Sequence, residues 1–320
     1  MMRLLFFGLC WLSATTVFAA PPQVVVSIKP LHSLAANVMA GIGEPVLLLE
    51  ANRSPHNFSL KPSDRRLLQQ ADLLVWVGRE MERPLLKVIE AAGKGAGQLE
   101  LLRQHEIIER MPKADAANEQ ADKHSHGHEQ APAEKHGNHE DHEGHDHTAG
   151  LDPHIWLSPE VAKCITGLLA TELARLDPAN APRYQANAAA TLERLNRLDQ
   201  DLAARLTPLR GKPYLVYHAA YGWFERHYGL GPARALTLNP ERQLGAASVQ
   251  RLRQQASAQG IECIFNEPQF SPKLAQRLAE DLGLRQGVLD PLGAELAAGK
   301  EAYFELLENL TDALVSCLQP

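Results

Sequence analysis

The stretch Pro182-Arg183-Tyr184-Gln185-Ala186-Asn187-Ala188-Ala189-Ala190-Thr191-Leu192-Glu193-Arg194-Leu195-Asn196-Arg197-Leu198-Asp199-Gln200-Asp201-Leu202-Ala203-Ala204-Arg205-Leu206 decides the architecture. After Pro182 it contains no breaker, and Leu192, Leu195, Leu198, Leu202 and Leu206 recur every three or four residues, which marks one apolar face of a long helix. At 1.5 Å per residue such a helix spans about 40 Å, enough to bridge two structural units. On either side the chain alternates short β-rich runs with helical ones. Before it, strands are expected at Gln23 to Ile28, Pro45 to Leu49, Leu73 to Val77 and Gln98 to Leu101, with helices from about Leu31, Asp64 and Met81, the second capped by Ser63. Beyond it, strands are expected at Tyr214 to Tyr217, Ala235 to Leu238, Cys263 to Asn266 and Gln286 to Leu289. Alternation of this kind predicts parallel sheets flanked by helices.

The expected fold is therefore α/β: two similar lobes, each a small parallel sheet, joined by one long rigid helix. The expected divisions are a signal peptide at 1–20, a first lobe at 21–181, the helix at 182–208 and a second lobe at 209–320. The two halves share no sequence self-similarity, so the repeat is architectural. Ser158-Pro159 reads as an N-cap and first helical residue, opening a helix that runs to about Leu176.

Met1 to Ala20 carries Arg3, then the apolar run Leu4 to Leu12, then Val17-Phe18-Ala19-Ala20, the pattern of a cleavable secretory signal. Its apolar run falls short of the ~20 residues that a membrane span needs. Leu9 stands before Cys10 where a lipoprotein would have a small residue. The mature protein is expected to be exported, soluble and monomeric. Of the four cysteines, Cys10 leaves with the signal. Cys164 sits in the apolar helical stretch Val161 to Leu169 as a small buried thiol, and Cys263 with Cys317 is the expected disulfide. The net charge of −6 is mild, and no basic footprint for nucleic acid is present.

Between Met111 and Gly150 lie His124, His126, His128, His136, His139, His142, His145 and His147 in a background of Asp, Glu, Gly and Lys. This segment lacks aromatic residues and any hydrophobic period, so it cannot bury enough surface to offset the entropy of ordering its backbone, and it reads as a disordered loop. Dense imidazoles beside carboxylates bind divalent transition metals weakly and in number. The bland alternative is a solvated linker.

Among the remaining histidines, His56 follows the strand Pro45 to Leu49, His218 ends the strand Tyr214 to Tyr217, and His154 stands in Asp152-Pro153-His154 just before a helix. Ligands of open α/β sheets collect beyond the carboxyl ends of strands. These three imidazoles can therefore converge between the lobes, with Asp290, directly after Gln286 to Leu289, or a water completing a tetrahedral zinc site. His227 should point elsewhere; His32 packs near the first helix and His105 lies in a polar connector.

The runs Arg53-Ser54-Pro55-His56-Asn57-Phe58-Ser59-Leu60-Lys61-Pro62-Ser63-Asp64, Ala71-Asp72-Leu73-Leu74-Val75-Trp76-Val77-Gly78 and Asp152-Pro153-His154-Ile155-Trp156-Leu157-Ser158-Pro159 closely resemble the ZnuA family, periplasmic zinc-binding components of bacterial ABC importers. The likeness continues through Tyr217-His218-Ala219-Ala220-Tyr221-Gly222-Trp223-Phe224, Glu267-Pro268-Gln269-Phe270 and Leu289-Asp290-Pro291-Leu292-Gly293. The resemblance implies two lobes on a long helix, one Zn(II) held between them by His56, His154 and His218, a Cys263–Cys317 disulfide, and delivery of the ion to a membrane-embedded ABC permease. Some family members place a Glu immediately before the first ligand; here that residue is Pro55, which cannot coordinate through its side chain. Three imidazoles favour zinc over manganese on ligand softness.

Two other classes compete. A zinc hydrolase would share the three-His composition, but no HExxH and no general base at a recognisable spacing are present, and Gly93-Lys94-Gly95-Ala96-Gly97 lacks the ending of a phosphate-binding loop. The expectation is a binding protein and not an enzyme. A periplasmic metal store or chaperone would work through the His-rich loop alone.

Overall fold

The computed structural model describes residues 20–50, 53–92, 97–111, 151–237 and 246–319. Residues 1–19 of the expected signal peptide and the eight loop histidines lie outside these residues.

The chain runs β1 (Val24–Val26), α1 (Lys29–Val38), β2 (Val46–Leu47), α2 (Pro62–Gln70), β3 (Leu73–Trp76), α3 (Arg83–Ala92), β4 (Gly97–Glu100) and α4 (His105–Ile108). It continues through α5 (Pro159–Leu176), α6 (Ala181–Leu206), β5 (Leu215–His218), α7 (Gly222–Tyr228), β6 (Arg234–Thr237), α8 (Ala246–Ala258), β7 (Cys263–Asn266), α9 (Lys273–Leu282), β8 (Arg285–Val288) and α10 (Ala302–Leu318). Every strand expected from sequence is present, β7 with the expected bounds and the others shifted by a residue or two at their ends. The helices α1 and α2 begin earlier than expected because Pro30 and Pro62 fall in their first turns, where a missing N–H costs nothing. Ser63 is consequently inside α2 and does not cap it; Asp64 instead accepts the Lys61 backbone N–H at 2.8 Å. Ser158 does cap α5, its Oγ accepting the Val161 N–H.

Both sheets are wholly parallel, with orders β2-β1-β3-β4 and β6-β5-β7-β8. In each, the strand order reverses between the two central strands, so the connections leave in opposite directions and open a crevice at their carboxyl ends. A buried glutamate serves each crevice. In the first lobe Glu82 accepts from Ser27 Oγ (2.6 Å), Val77 N (3.2 Å) and Gly78 N (2.9 Å), tying the ends of β1 and β3 together. Burial pushes its carboxyl up to about 7, against the pull of those hydrogen bonds.

The helix α6 is 26 residues long and buries Tyr184, Ala188, Thr191, Leu195, Leu198, Leu202 and Leu206. Of the leucine face anticipated from sequence, only Leu192 is half-buried. It packs on α1 and α5 of the first lobe and on α10 of the second, so one apolar core holds residues of both lobes, from Val24 to Leu318, while a smaller separate core around Leu215, Leu236, Ile264 and Leu278 lies within the second lobe. Its first half is hooked to the end of α1, where Asn187 Nδ2 donates to the Val38 and Ala40 carbonyls at 2.9 Å each, satisfying groups that a helix end leaves open. Its second half meets the C-terminal region through Arg194, paired with Glu301 at 2.6 Å and lying over the Phe304 ring, and through Arg205 with Asp312.

Cys263 on β7 and Cys317 on α10 are joined by a disulfide across 54 residues of sequence, a closure that constrains the unfolded chain by about 4 kcal/mol. Cys164 is free but half-buried, less enclosed than the sequence suggests, because it lies at the margin of the apolar face of α5. Among the described residues no helix is long and apolar enough to cross a membrane.

Leu195 is fully buried where α6 meets the shared core. Leu195→Ala should cost about 2–5 kcal/mol. In chemical denaturation both lobes should still unfold in one transition; a variant whose lobes melt separately would show that the core is not shared.

Candidate metal centre

Three histidines from three separate segments meet between the lobes. His56 sits in a turn beyond β2, its backbone N–H on Ser54 Oγ at 3.3 Å. His154 directly precedes a 3-10 turn, Ile155–Leu157, that leads into α5. His218 is the last residue of β5, at the crevice of the second sheet. Their ring centroids lie 5.1 to 6.0 Å apart. One ring nitrogen from each falls within 4.8 Å of the others, and among the described residues no other group of three or more His, Cys, Asp or Glu does so.

Two carboxylates orient this cluster. Asp152 Oδ1 lies 2.8 Å from His154 Nδ1 and 3.0 Å from the His154 backbone N–H. Glu267 Oε1 lies 2.6 Å from His218 Nδ1, and Glu267 is 1% exposed. A carboxylate accepts, so in the neutral rings each Nδ1 carries the hydrogen and each Nε2 carries a lone pair. The two Nε2 atoms face one another at 3.2 Å. Two lone pairs at that range repel, and neither has a hydrogen to share. Around a tetrahedral ion with bonds of about 2.0–2.1 Å, neighbouring nitrogens lie about 3.3 Å apart, so the spacing suits a cation between them. His56 Nε2 is buried without a hydrogen-bond partner, the third free lone pair or hydrogen at the same place.

His56 and His154 are poised to stay uncharged. Burial, followed by the nearby His154 and His218, holds the His56 imidazole down at about 3. Burial likewise lowers His154, against the pull of Asp152. The walls are Pro55, Trp156, Phe270, Pro291 and Leu292, and the free space is about 10 Å³, room for one ion or water and none for an organic substrate.

Asp290, expected as a possible fourth ligand, is outside the cluster. Its Oδ1 accepts from Gln269 Nε2 (2.9 Å) and Leu292 N (3.0 Å), and its Oδ2 from Ala294 N, so both oxygens are engaged in shaping the loop after β8. His227 points away from the cluster and is half-buried, paired with Asp199 of α6 at 2.7 Å. His32 Nε2 meets the Pro45 carbonyl at 3.0 Å beneath α1, and His105 is exposed at the start of α4. Asp152 and Glu267 received no role from sequence. The signals that find them are position: Asp152 stands two residues before His154, and Glu267 directly follows β7, the neighbour of β5 at the crevice.

The model of the family described as "Zinc-uptake complex component A periplasmic", ZnuA, matches residues 24–317. The chain belongs to the ZnuA family. The "High-affinity zinc uptake system protein ZnuA" of Brucella abortus is 38% identical over 307 residues, covering 92% of this chain and 91% of that protein. The protein so described from Yersinia pestis is 35% identical over 305 residues, covering 94% and 92%. A crystal structure of ZnuA superposes with a TM-score of 0.74 at 26% identity, covering 93% of this chain and all of that one, and a ZnuA deletion mutant with zinc bound does so with a TM-score of 0.72 at 26% identity, covering 94% and 100%. The periplasmic zinc-binding protein TroA of Treponema pallidum, at 19% identity and a TM-score of 0.74 over 94% of this chain and all of that one, shares the fold. The ZnuA family is one of periplasmic uptake components and not of enzymes.

The depressed imidazoles of this ZnuA relative set a pH dependence. In the unfolded chain His56 and His154 titrate near ~6.5, whereas the folded values are lower, so between these limits the unfolded state binds more protons. The stability they confer is complete above about pH 6.5 and is lost as pH falls towards 3. Chelator-treated protein should show a melting temperature that declines steadily below pH ~6.5; a flat profile from about pH 7 to 5 would mean that the rings are not buried as neutral groups.

Proposed function

We propose that this ZnuA-family protein captures Zn(II) as cargo through His56, His154 and His218 and hands it to a membrane-embedded ABC permease for import. The observation that carries this reading is the pair of carboxylate-anchored imidazoles whose Nε2 lone pairs face each other at 3.2 Å with His56 beside them. Three neutral nitrogens suit a borderline-soft ion, and Zn(II) has the tetrahedral preference that three such donors and a water satisfy. With both Asp290 oxygens engaged, water takes the fourth position in this reading. The names of the relatives, zinc uptake proteins of Brucella abortus and Yersinia pestis, support the same cargo.

The leader at 1–20 delivers the chain to the periplasm, where it works as a monomer. The His-rich stretch Met111 to Gly150 supplies weaker, additional sites that raise the local supply of zinc. Release to the permease needs only a small displacement of one lobe, since the separation of His218 from His56 and His154 sets the coordination geometry and α6 is packed against both lobes. A hydrolytic role is disfavoured by a cavity that admits no substrate and by two carboxylates already held on imidazoles.

Zinc titration by calorimetry of the mature protein tests the reading. One tight site should persist when residues Met111 to Gly150 are removed, and it should vanish in His154→Ala and His218→Ala. Binding that disappeared with the loop and survived both substitutions would instead make the protein a periplasmic metal store or chaperone. Asp152→Asn and Glu267→Gln keep the size of each side chain but weaken its hold on the ring. Each should lower zinc affinity by about 10–100-fold, the usual effect of losing a group that orients a metal-binding histidine.

A further inference from the structure

The loop after β8 touches both the metal cavity and the opposite lobe. Pro291 and Leu292 wall the cavity, and the Pro291 carbonyl accepts the indole N–H of Trp156 at 2.8 Å, whose ring packs against His154 at 5.3 Å. A few residues on, the carbonyls of Gly293, Ala294 and Leu296 converge on the Lys29 ammonium at 2.5, 3.3 and 2.5 Å. Lys29 opens α1, directly beyond β1, so this cation belongs to the first lobe and its cage to the second. The cage is built for it. Asp290 takes the Leu292 and Ala294 N–H groups, which turns the carbonyls outward, and Gly293 adopts φ 69°, where a Cβ would press on Leu296 Cδ1 at 3.0 Å.

A lysine only 6% exposed is an expensive way to join two surfaces, because its charge must leave water. Here three carbonyl dipoles offset that cost. An apolar residue would fill the space but would specify no distance; three directed hydrogen bonds do. The neighbouring seam contacts, Ser33 Oγ and Asn37 Nδ2 on the Lys300 carbonyl, lie further along α1 and away from the cavity wall.

We propose that Lys29 is a positioning residue for metal binding: by fastening the 293–296 turn of the second lobe to the first, it fixes the separation of His218 from His56 and His154 and so slows the loss of zinc. The inference rests on the zinc reading above. A metal–ligand distance tolerates only about 0.2 Å, so a small relaxation of the seam reaches the ion.

The test compares wild type, Lys29→Met, Lys29→Gln and Lys212→Met, the last removing a lysine–carbonyl bond (to Leu318, 2.6 Å) that does not join the lobes. Three quantities are read on the full mature chain: the zinc dissociation rate into excess chelator, the visible spectrum of the Co(II)-loaded protein, and the melting temperature of the metal-free protein. Lys29→Met should release zinc roughly tenfold faster, since altered contacts act mainly on dissociation, with a weakened tetrahedral Co(II) band. Lys29→Gln should fall between it and wild type, and Lys212→Met should lose only melting temperature. Should Lys29→Met fail to fold, Lys29→Gln decides. If the Lys29 variants melt earlier yet keep the wild-type zinc release rate and Co(II) spectrum, Lys29 is merely structural and the inference is wrong. Wild-type protein without tight zinc binding would overturn the reading beneath it as well.

Discussion

Everything in this molecule depends on the packing of α6 against both lobes at once. A parallel sheet of four short strands buries little by itself, and each lobe here would be marginal if its helices covered only its own sheet. By placing Leu195, Leu198, Leu202 and Leu206 among α1, α5 and α10, the helix makes one core of two lobes. The consequence is mechanical. Lobes that share a core move through small sliding adjustments and not about an open hinge, which suits a site whose ligands come from both sides.

The two crevices then acquire different roles from the same topology. Each lobe ends its central strands at a buried carboxylate. Glu82 spends both oxygens on the backbone and on Ser27, and its lobe contributes only His56 and His154 from outlying turns. Glu267 turns an oxygen to His218 and thereby sets which nitrogen of that ring is free. With Asp152 doing the same for His154, the protein turns two lone pairs towards one another in a buried cavity. A cation between the two nitrogens would turn that repulsion into attraction.

Much of this was legible in the chain. The strands and helices announced themselves because their period and their breakers are local properties: Pro30, Pro62 and Pro159 near helix starts, Val24 to Val26 and Leu73 to Trp76 as unbroken apolar runs. The gathering of His56, His154 and His218 could be anticipated because parallel strands bring their carboxyl ends to one edge. Ser63 misled as a cap because a proline one residue earlier is the stronger start signal. Asp290 turns its oxygens to Gln269 and to its own loop, and sequence carries no sign of this, because a carboxylate after a strand can face either a ligand or the backbone that follows it.

By itself, then, the sequence determined the parallel α/β alternation, the long helix and the gathering of three imidazoles at one edge, all of which follow from hydrophobic period, turn chemistry and strand polarity. Only the tertiary structure decided what each polar group faces. Glu267 meets His218 across 49 residues of sequence and Lys29 meets the Gly293 carbonyl across 264. Such pairings depend on the relative placement of two lobes, which is set by summed packing over α6 and the seam and leaves no local pattern in the chain.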